Sequence, residues 1–390
     1  MERGVTGTYQ RQTISGEPFS AFVPHPLPPI PPVVITEEIY NLTEQANRAV
    51  GRLDGLSFLL PDISLFLYFY IRKEAVLSSQ IEGTQSSLSD LLLFEFEEVP
   101  GVPIDDVIEV SNYVAALDFG MARIRKDEFP LSSRLLREIH KVLLSRGRGS
   151  TKEPGEYRRS QNWIGGSRPG NARFVPPPFE LVPECIGALE NFLHDVPSHT
   201  PTLIKAALAH VQFETIHPFL DGNGRIGRLL ITLLLCSEGA LKDPLLYLSY
   251  YFKKNRARYY ELLDSVRLRG DWEEWLVFFL TGVRDVADQA AGSTQKILAR
   301  FEQDRRAIAT LGRQSPSAVR VHQYLERHAL LTVRKAATEM NVSHPTVQSG
   351  IKLLQGLGIV EEITGRQRDR IFTYAAYLKL LDEGTTLNRG

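Results

Sequence analysis

The sequence predicts a mainly α-helical protein with one irregular insertion and a small C-terminal unit that combines helices with a short wing. Three observations predict this. Apolar residues recur at helical spacing through most of residues 36–300. Residues 147–178 break the pattern with a run rich in Gly and Pro. From residue 293 onward the charge changes sign, with fifteen Lys and Arg against nine Asp and Glu, a local +6 within a chain whose net charge is −1. The rest of the chain therefore carries −7. At 390 residues the chain exceeds the roughly 100–200 residues of one domain, so two or three pieces are expected. The boundaries read as 1–103, 104–300 and 313–380. A composition 43% hydrophobic and 23% charged excludes collagen-like and low-complexity chains.

Residues 24–32, PHPLPPIPP, hold six prolines in nine positions and read as an extended strap, since Pro fixes φ and lacks an amide hydrogen. Thr36 before Glu37 and Glu38 reads as the cap of a first helix. A second, more apolar helix is expected from about Ser64 to Ile81, ended by Gly83. Helices follow at 104–125, 132–145, 179–194 and 202–215, then at 224–238, 253–268 and 271–300. Within 147–178, the runs Asn162–Ile164 and Phe174–Val175 flank Gly-Ser-Arg-Pro-Gly-Asn and predict a β-hairpin. The tail reads as a helix over 317–328, then Thr332–Met340, a turn at Asn341–Ser343, and a helix from Pro345 to Leu357. The segments at 358–360 and 370–372 flank a basic tip, GRQRDR, which gives a winged helix-turn-helix pattern.

Cys185 and Cys236 lie in different helical segments with no metal-ligand spacing, and read as two reduced, buried thiols. The first dozen residues lack the apolar core of a signal peptide. The most apolar stretch, Leu56–Ile71, contains Pro61 and Asp62 and is too short for about 30 Å of hydrocarbon. A cytoplasmic protein without membrane contact is expected.

The densest chemistry is HPFLDGNGRIGR, residues 217–228. Gly222, Asn223 and Gly224 open an apolar helix, and unpaired N–H groups at a helix start, with the helix dipole, attract anions. Arg225 and Arg228 stand at i, i+3, on one helix face, with guanidinium forks suited to phosphate oxygens. Asp221 is placed to hold a Mg²⁺ that bridges phosphates. His217 titrates in the range that suits a general base. Together these point to nucleotide phosphates and to phosphoryl or nucleotidyl transfer. The run Gly222-x-Gly224-x-x-Gly227 also fits the dinucleotide fingerprint, but that motif requires a preceding strand and residues 202–215 read as helix. A plain helix cap would explain any one of these residues; seven within twelve positions argue against it.

HPFLDGNGRIGR fits the HxFx[DE]GNGRxxR signature without a mismatch, and on it the chain resembles the Fic family of protein adenylyltransferases. The resemblance implies a helical Fic core and transfer of AMP from ATP to a Ser, Thr or Tyr hydroxyl of a target protein or of the enzyme itself. It implies that His217 is the base and that Asp221 binds Mg²⁺. Gly222, Asn223 and Gly224 would form the anion hole, with Arg225 and Arg228 on the β- and γ-phosphates. The hairpin over 157–175 is similar to the family's flap, with Ile164, Gly165, Gly166 and Ser167 covering the nucleotide. Tyr259 and Tyr260 match an aromatic pair near the adenine. Arg267 stands where some members carry an Asn that reaches the nucleotide. Ser78-Ser79-Gln80-Ile81-Glu82-Gly83 resembles the [ST]xxxE[GN] inhibitory motif, in which Glu82, with Ser78 and Gly83, would pair with Arg228 and displace the γ-phosphate. The same glutamate could position a water that removes AMP.

The whole order of strap, inhibitory helix, core and winged tail resembles a large bacterial class, for which a homodimer is an expectation. Two readings stay open beside AMP transfer: AMP removal or transfer of another phosphate-linked group, and a DNA-binding regulator whose core senses nucleotide. The expected recognition helix carries one basic residue, Lys352, so DNA binding and protein interaction are both open.

Overall fold

The computed structural model describes residues 3–14, 16–57, 63–95, 103–328, 330–365 and 369–382. The chain divides into two compact units, residues 1–54 with 70–287, and residues 55–69 with 288–390. Among the described residues no helix is long and apolar enough to cross a membrane.

The first unit opens on an antiparallel hairpin, β1 (Gly7–Ile14) and β2 (Glu17–Pro24), in register from Gly7 opposite Pro24 to Ile14 opposite Glu17. Gly16 takes the positive φ that so short a turn needs. The proline-rich strap follows without helix or strand. Arg3 ties it down by donating to the Pro31 and Pro32 carbonyls while paired with Glu273. α1 (Glu37–Ser57) starts where Thr36 accepts the Ile39 N–H at 3.2 Å, the cap expected from the sequence. α2 (Ile63–Ile81) ends at Gly83, whose φ is +106°. α3 (Leu88–Glu95) is held at its start by reciprocal Ser87 and Asp90 bonds.

α4 (Ile104–Lys126) and α5 (Ser133–Leu143) pack as a pair, the latter capped by Ser132. After the irregular insertion come α6 (Val182–Leu193), α7 (Thr202–Ile216) and α8 (Asn223–Ser237). α7 is buried from Leu203 to Ile216, with α6 and α8 packed on it. It is the axis of this unit. α9 (Ser249–Lys254), α10 (Arg256–Arg269) and the long α11 (Trp272–Ala309) complete the set.

The insertion departs from the expected hairpin. Its pairing is one bridge, Ile164 with Phe174, bonded both ways at 2.8 and 3.1 Å. Gly165 and Gly166 turn with positive φ, Pro169–Asn171 forms a 3₁₀ turn, and prolines 176–178 offer no N–H to extend the ladder. An outer partner replaces the missing rungs: the Phe22 N–H of β2 donates to the Val175 carbonyl at 2.9 Å, and Phe19, Ala21 and Val175 form a small apolar cluster.

In the second unit α12 (Ser315–His328) is followed by β3 (Leu330–Thr332), α13 (Val333–Glu339), α14 (His344–Gly356), β4 (Glu361–Glu362), β5 (Ile371–Thr373) and α15 (Ala375–Asp382). The three strands form an antiparallel sheet in the order β3-β5-β4. Thr332 and Ser343 cap α13 and α14. Gly350 lets α14 lie against α12, since a Cβ there would stand 2.6 Å from the Ser317 carbonyl oxygen. The centre of the basic tip, 366–368, lies outside the described residues.

Candidate active site

The site is built on the reversal between α7 and α8. His217 ends α7 in the left-handed region (φ 49°, ψ 60°), its N–H still bonded to the Phe213 carbonyl. Gly222, also left-handed, opens α8. Between them the carbonyls of His217, Pro218, Phe219 and Asp221 all have partners. Arg158 donates from Nε to the His217 carbonyl at 3.0 Å and from its own N–H to the Pro218 carbonyl at 2.9 Å. The Asn223 side chain exchanges two 2.8 Å bonds with the backbone of Phe219. Asn162 reaches the Phe219 carbonyl at 3.0 Å. His140 Nδ1 accepts from the Gly155 N–H at 2.8 Å, so its Nε2 carries the proton and donates to the Asp221 carbonyl at 3.0 Å. Its ring stacks on Phe219 at 3.8 Å, and burial pushes its pKa down to about 4.

This frame sets the side chains named from the sequence. His217 is half-buried, and burial, then Arg158 and Arg267, lower its pKa to about 4, so it is neutral at pH 7. The Asp221 carboxylate accepts the Gly222 N–H at 2.6 Å through Oδ1. Its Oδ2 faces Gly149, where a Cβ would crowd it at 3.0 Å. Arg225 and Arg228 are only 3% and 2% exposed, so neither is a solvated surface arginine. Arg225 lies between Glu109 at 3.0 Å and Asp221 at 3.4 Å. Arg228 donates to the Ser78 hydroxyl at 2.8 Å, to the Ser78 carbonyl at 3.0 Å and to Glu82 Oε1 at 2.7 Å. Burial acts to raise the Glu82 carboxyl, but the charge and hydrogen bond of Arg228 outweigh it and hold the pKa below the usual value. Gly224 makes room, because a Cβ there would stand 2.3 Å from Glu82 Oε1. Helix α2 thus delivers Ser78 and Glu82 to the first turn of α8.

The flap glycines lie at the tip of the insertion. Gly166 has no space for a Cβ beside the Asn171 carbonyl, and Asn171 Oδ1 gathers the Ser167 and Arg168 N–H groups. The two tyrosines part company. Tyr259 is buried among Phe252 and Trp275, with its hydroxyl 2.8 Å from His210 Nε2, whereas Tyr260 is half-buried with Arg256 over its ring. Arg267 is buried, bonded to Thr215 and Asp264, and its guanidinium covers the Phe174 ring at 4.1 Å.

The profile of the Fic/DOC family N-terminal region matches residues 40–122, and that of the Fic/DOC family matches residues 130–235, through the His217 loop. The chain belongs to the Fic/DOC family. It is 31% identical over 237 residues to the protein adenylyltransferase fic-1 of Caenorhabditis elegans, a match spanning 60% of this chain and 41% of that protein. It is 30% identical over 192 residues to a probable protein adenylyltransferase of Aquifex aeolicus, covering 48% of this chain and 54% of that one. The chain therefore spans about half or less of these relatives' lengths. A crystallised Fic family protein of Desulfovibrio desulfuricans shares the fold, with a TM-score of 0.56 at 22% identity, over 88% of this chain and 97% of that chain. The C. elegans Fic-1 structure gives 0.50 at 26% identity, over 68% of this chain and 74% of that one.

Several residues at this Fic site escape a reading by motif. Glu74 lies four residues before Ser78, on the same face of α2, and its carboxylate bonds the Ser249 N–H at 3.1 Å and the Tyr113 hydroxyl at 3.2 Å. Burial raises its pKa to about 7. The spacing of Glu74, Ser78 and Glu82 at i, i+4, i+8 is the signal that could have found it. Glu214 is buried beside Gly227, with burial raising it to about 7, and only its place three residues before His217 hints at it. Glu109, His140 and Arg158 meet the loop from distant segments and carry no local signal.

His140→Gln should disturb the Gly155 and Asp221 bonds at a cost of about 1–3 kcal/mol. It should also change the pH dependence. A histidine near 6.5 when unfolded and about 4 when folded contributes stability above pH 6.5 that is lost as pH falls toward 4, at about 1.4 kcal/mol per pH unit. Urea midpoints at pH 7.5 and 5 should differ less in the variant than in the parent; equal differences would remove this role.

Proposed function

We propose that this protein transfers AMP from ATP to a Ser, Thr or Tyr hydroxyl of a target protein and of itself, under restraint by Glu82. The observation that carries the reading is the loop that sets a neutral His217 beside the N-terminus of α8, whose first turns bring two buried arginines. His217 takes the proton of the acceptor hydroxyl as its oxygen attacks the α-phosphorus. The bond to the bridging oxygen breaks, and pyrophosphate leaves with its charge held by Arg225, Arg228 and the N–H groups of residues 222–224. Asp221 fits a Mg²⁺ site: its carboxylate is a hard oxygen donor, and its Oδ2 faces Gly149, which has no side chain to crowd it. When bound there, Mg²⁺ would neutralise charge on the α- and β-phosphates. Ile164, Gly165, Gly166 and Ser167 are assigned to covering the nucleotide, and Tyr260, more than the buried Tyr259, to the adenine side.

Glu82 restrains the reaction because its carboxylate occupies the guanidinium fork that the γ-phosphate requires. Its like charge repels that phosphate and leaves ATP in an unproductive pose. The 2.7 Å contact to Arg228 and the missing Cβ at Gly224 support this assignment. The second unit we read as a winged helix-turn-helix, on the order of its helices and the β3-β5-β4 sheet. A homodimer and a cytoplasmic location are proposed from the resemblance. Burial raises Cys185 to about 11 and Cys236 to about 12, which keeps both thiols protonated and fits a reducing setting.

With labelled ATP the parent should label itself weakly, and Glu82→Gly should raise labelling at least tenfold. His217→Ala in that background should abolish labelling while ATP still binds in calorimetry. No rise with Glu82→Gly would refute the restraint, and transfer without His217 would refute its role as base. The low pKa of His217 gives a second outcome. Transfer by the Glu82→Gly form should hold its rate from pH 7.5 down to about 5.5, whereas an unperturbed base would lose most of it. Removing Glu82, which raises His217, moves the acid limb lower still.

A further inference from the structure

The second unit carries a groove of about 970 Å³ between the start of α12 and the outer side of α14. Three cations line it, Arg313, Arg320 and Lys352, together with the hydroxyls of Ser317, Thr346 and Ser349. No acidic residue is among its lining residues. All three cations are exposed, and none forms an ion pair among the described residues. Three other arginines of the unit are paired: Arg300 with Asp304, Arg305 with Glu326 and Arg306 with Glu302. Arg334, Arg370 and Lys379 are also exposed without an ion pair among the described residues, but this groove gathers three such cations in one place. Helix α14 matches this. Its thirteen residues include no Asp or Glu, and beside His344, Pro345 and Gly356 its exposed positions include Gln348, Ser349, Lys352 and Gln355. Such side chains donate to phosphates and to base edges alike.

We propose that this groove binds the phosphate backbone of duplex DNA, with Arg313, Arg320 and Lys352 each contacting a phosphate. The sequence hides the site because only Lys352 lies on α14. The two arginines come from the turn before α12 and from α12 itself, brought alongside by the close approach at Gly350. Charge complementarity favours DNA over a protein partner, since three open cations with no interleaved acid suit a polyanion more than a mixed protein surface. The inference goes beyond AMP transfer and stands apart from it.

The test uses the full chain and a fluorescent duplex of about 24 base pairs of mixed sequence. Three phosphate contacts predict a slope of log affinity against log salt of about −2.7, so affinity should fall roughly 40-fold between 50 and 200 mM salt. Arg313→Ala/Arg320→Ala/Lys352→Ala should weaken binding at least tenfold at 50 mM salt and flatten the slope. Arg320→Lys should keep it. Self-labelling in the Glu82→Gly background should not change with the triple substitution, which separates loss of DNA binding from loss of fold and from failure of the transfer reading. No binding at 50 mM salt overturns the proposal, as does a triple variant that binds like the parent. Loss of self-association without any DNA binding overturns it in favour of a protein interface.

Discussion

The requirement that a buried backbone be hydrogen-bonded governs this molecule more than any single ion pair. The chain reverses between α7 and α8 with Pro218, Phe219 and Gly222 buried, where their backbone groups need partners from the protein. Four side chains from three other places in the sequence supply the partners: Asn223 from α8, His140 from α5, and Arg158 and Asn162 from the insertion. Arg158 is the clearest case. It is 2% exposed, has no carboxylate partner among the described residues, and donates instead to the carbonyls of His217, Ser160 and Pro177. Its guanidinium, with Asn162, thereby fastens the insertion to the loop. Burial lowers its pKa to about 10, still charged at neutral pH.

That frame leaves the two arginines of α8 with different surroundings. Arg225 is bracketed by Glu109 and Asp221 within the folded core. Arg228 depends on α2, where Glu74 anchors the helix at Tyr113 and Ser249 and Ser78 and Glu82 engage the guanidinium one and two turns later. The geometry makes α2 a graded contact: a fixed end at Glu74, and an end at Glu82 whose side chain is 35% exposed.

Much of the fold was legible because the helices follow the apolar period and because Thr36, Ser132, Ser343 and Gly83 mark their ends in recognisable chemistry. The seven residues of the central motif were legible because one local segment carries them all. What escaped was non-local. Glu109, His140 and Arg158 act across distances that no spacing rule reports, and the open cations of the second unit belong to two elements. The N-terminal hairpin escaped for another reason. Its first strand, GTYQRQTI, is mostly solvent-facing, and its apolar residues, Phe19, Ala21 and Phe22, have little alternation of their own. They are buried only once β1 and the insertion, at Phe174 and Val175, are in place. The flap erred in the opposite direction, since its glycines and prolines suggested a full hairpin and permitted one bridge.

The return of the first two dozen residues to the flap has a temporal side. Thr6 donates to the Arg267 carbonyl, Phe22 to Val175, and Arg3 pairs with Glu273, so each of these partners is synthesised 150 residues or more after its mate. Until Val175 of the insertion exists, β2 has only β1 to pair with, and a lone two-stranded ribbon is marginal in water. The hairpin therefore settles only after the insertion has been made. It presents an unsatisfied edge with Phe19 and Phe22 until then, a span in which pairing with a second nascent chain competes with closure on its own insertion.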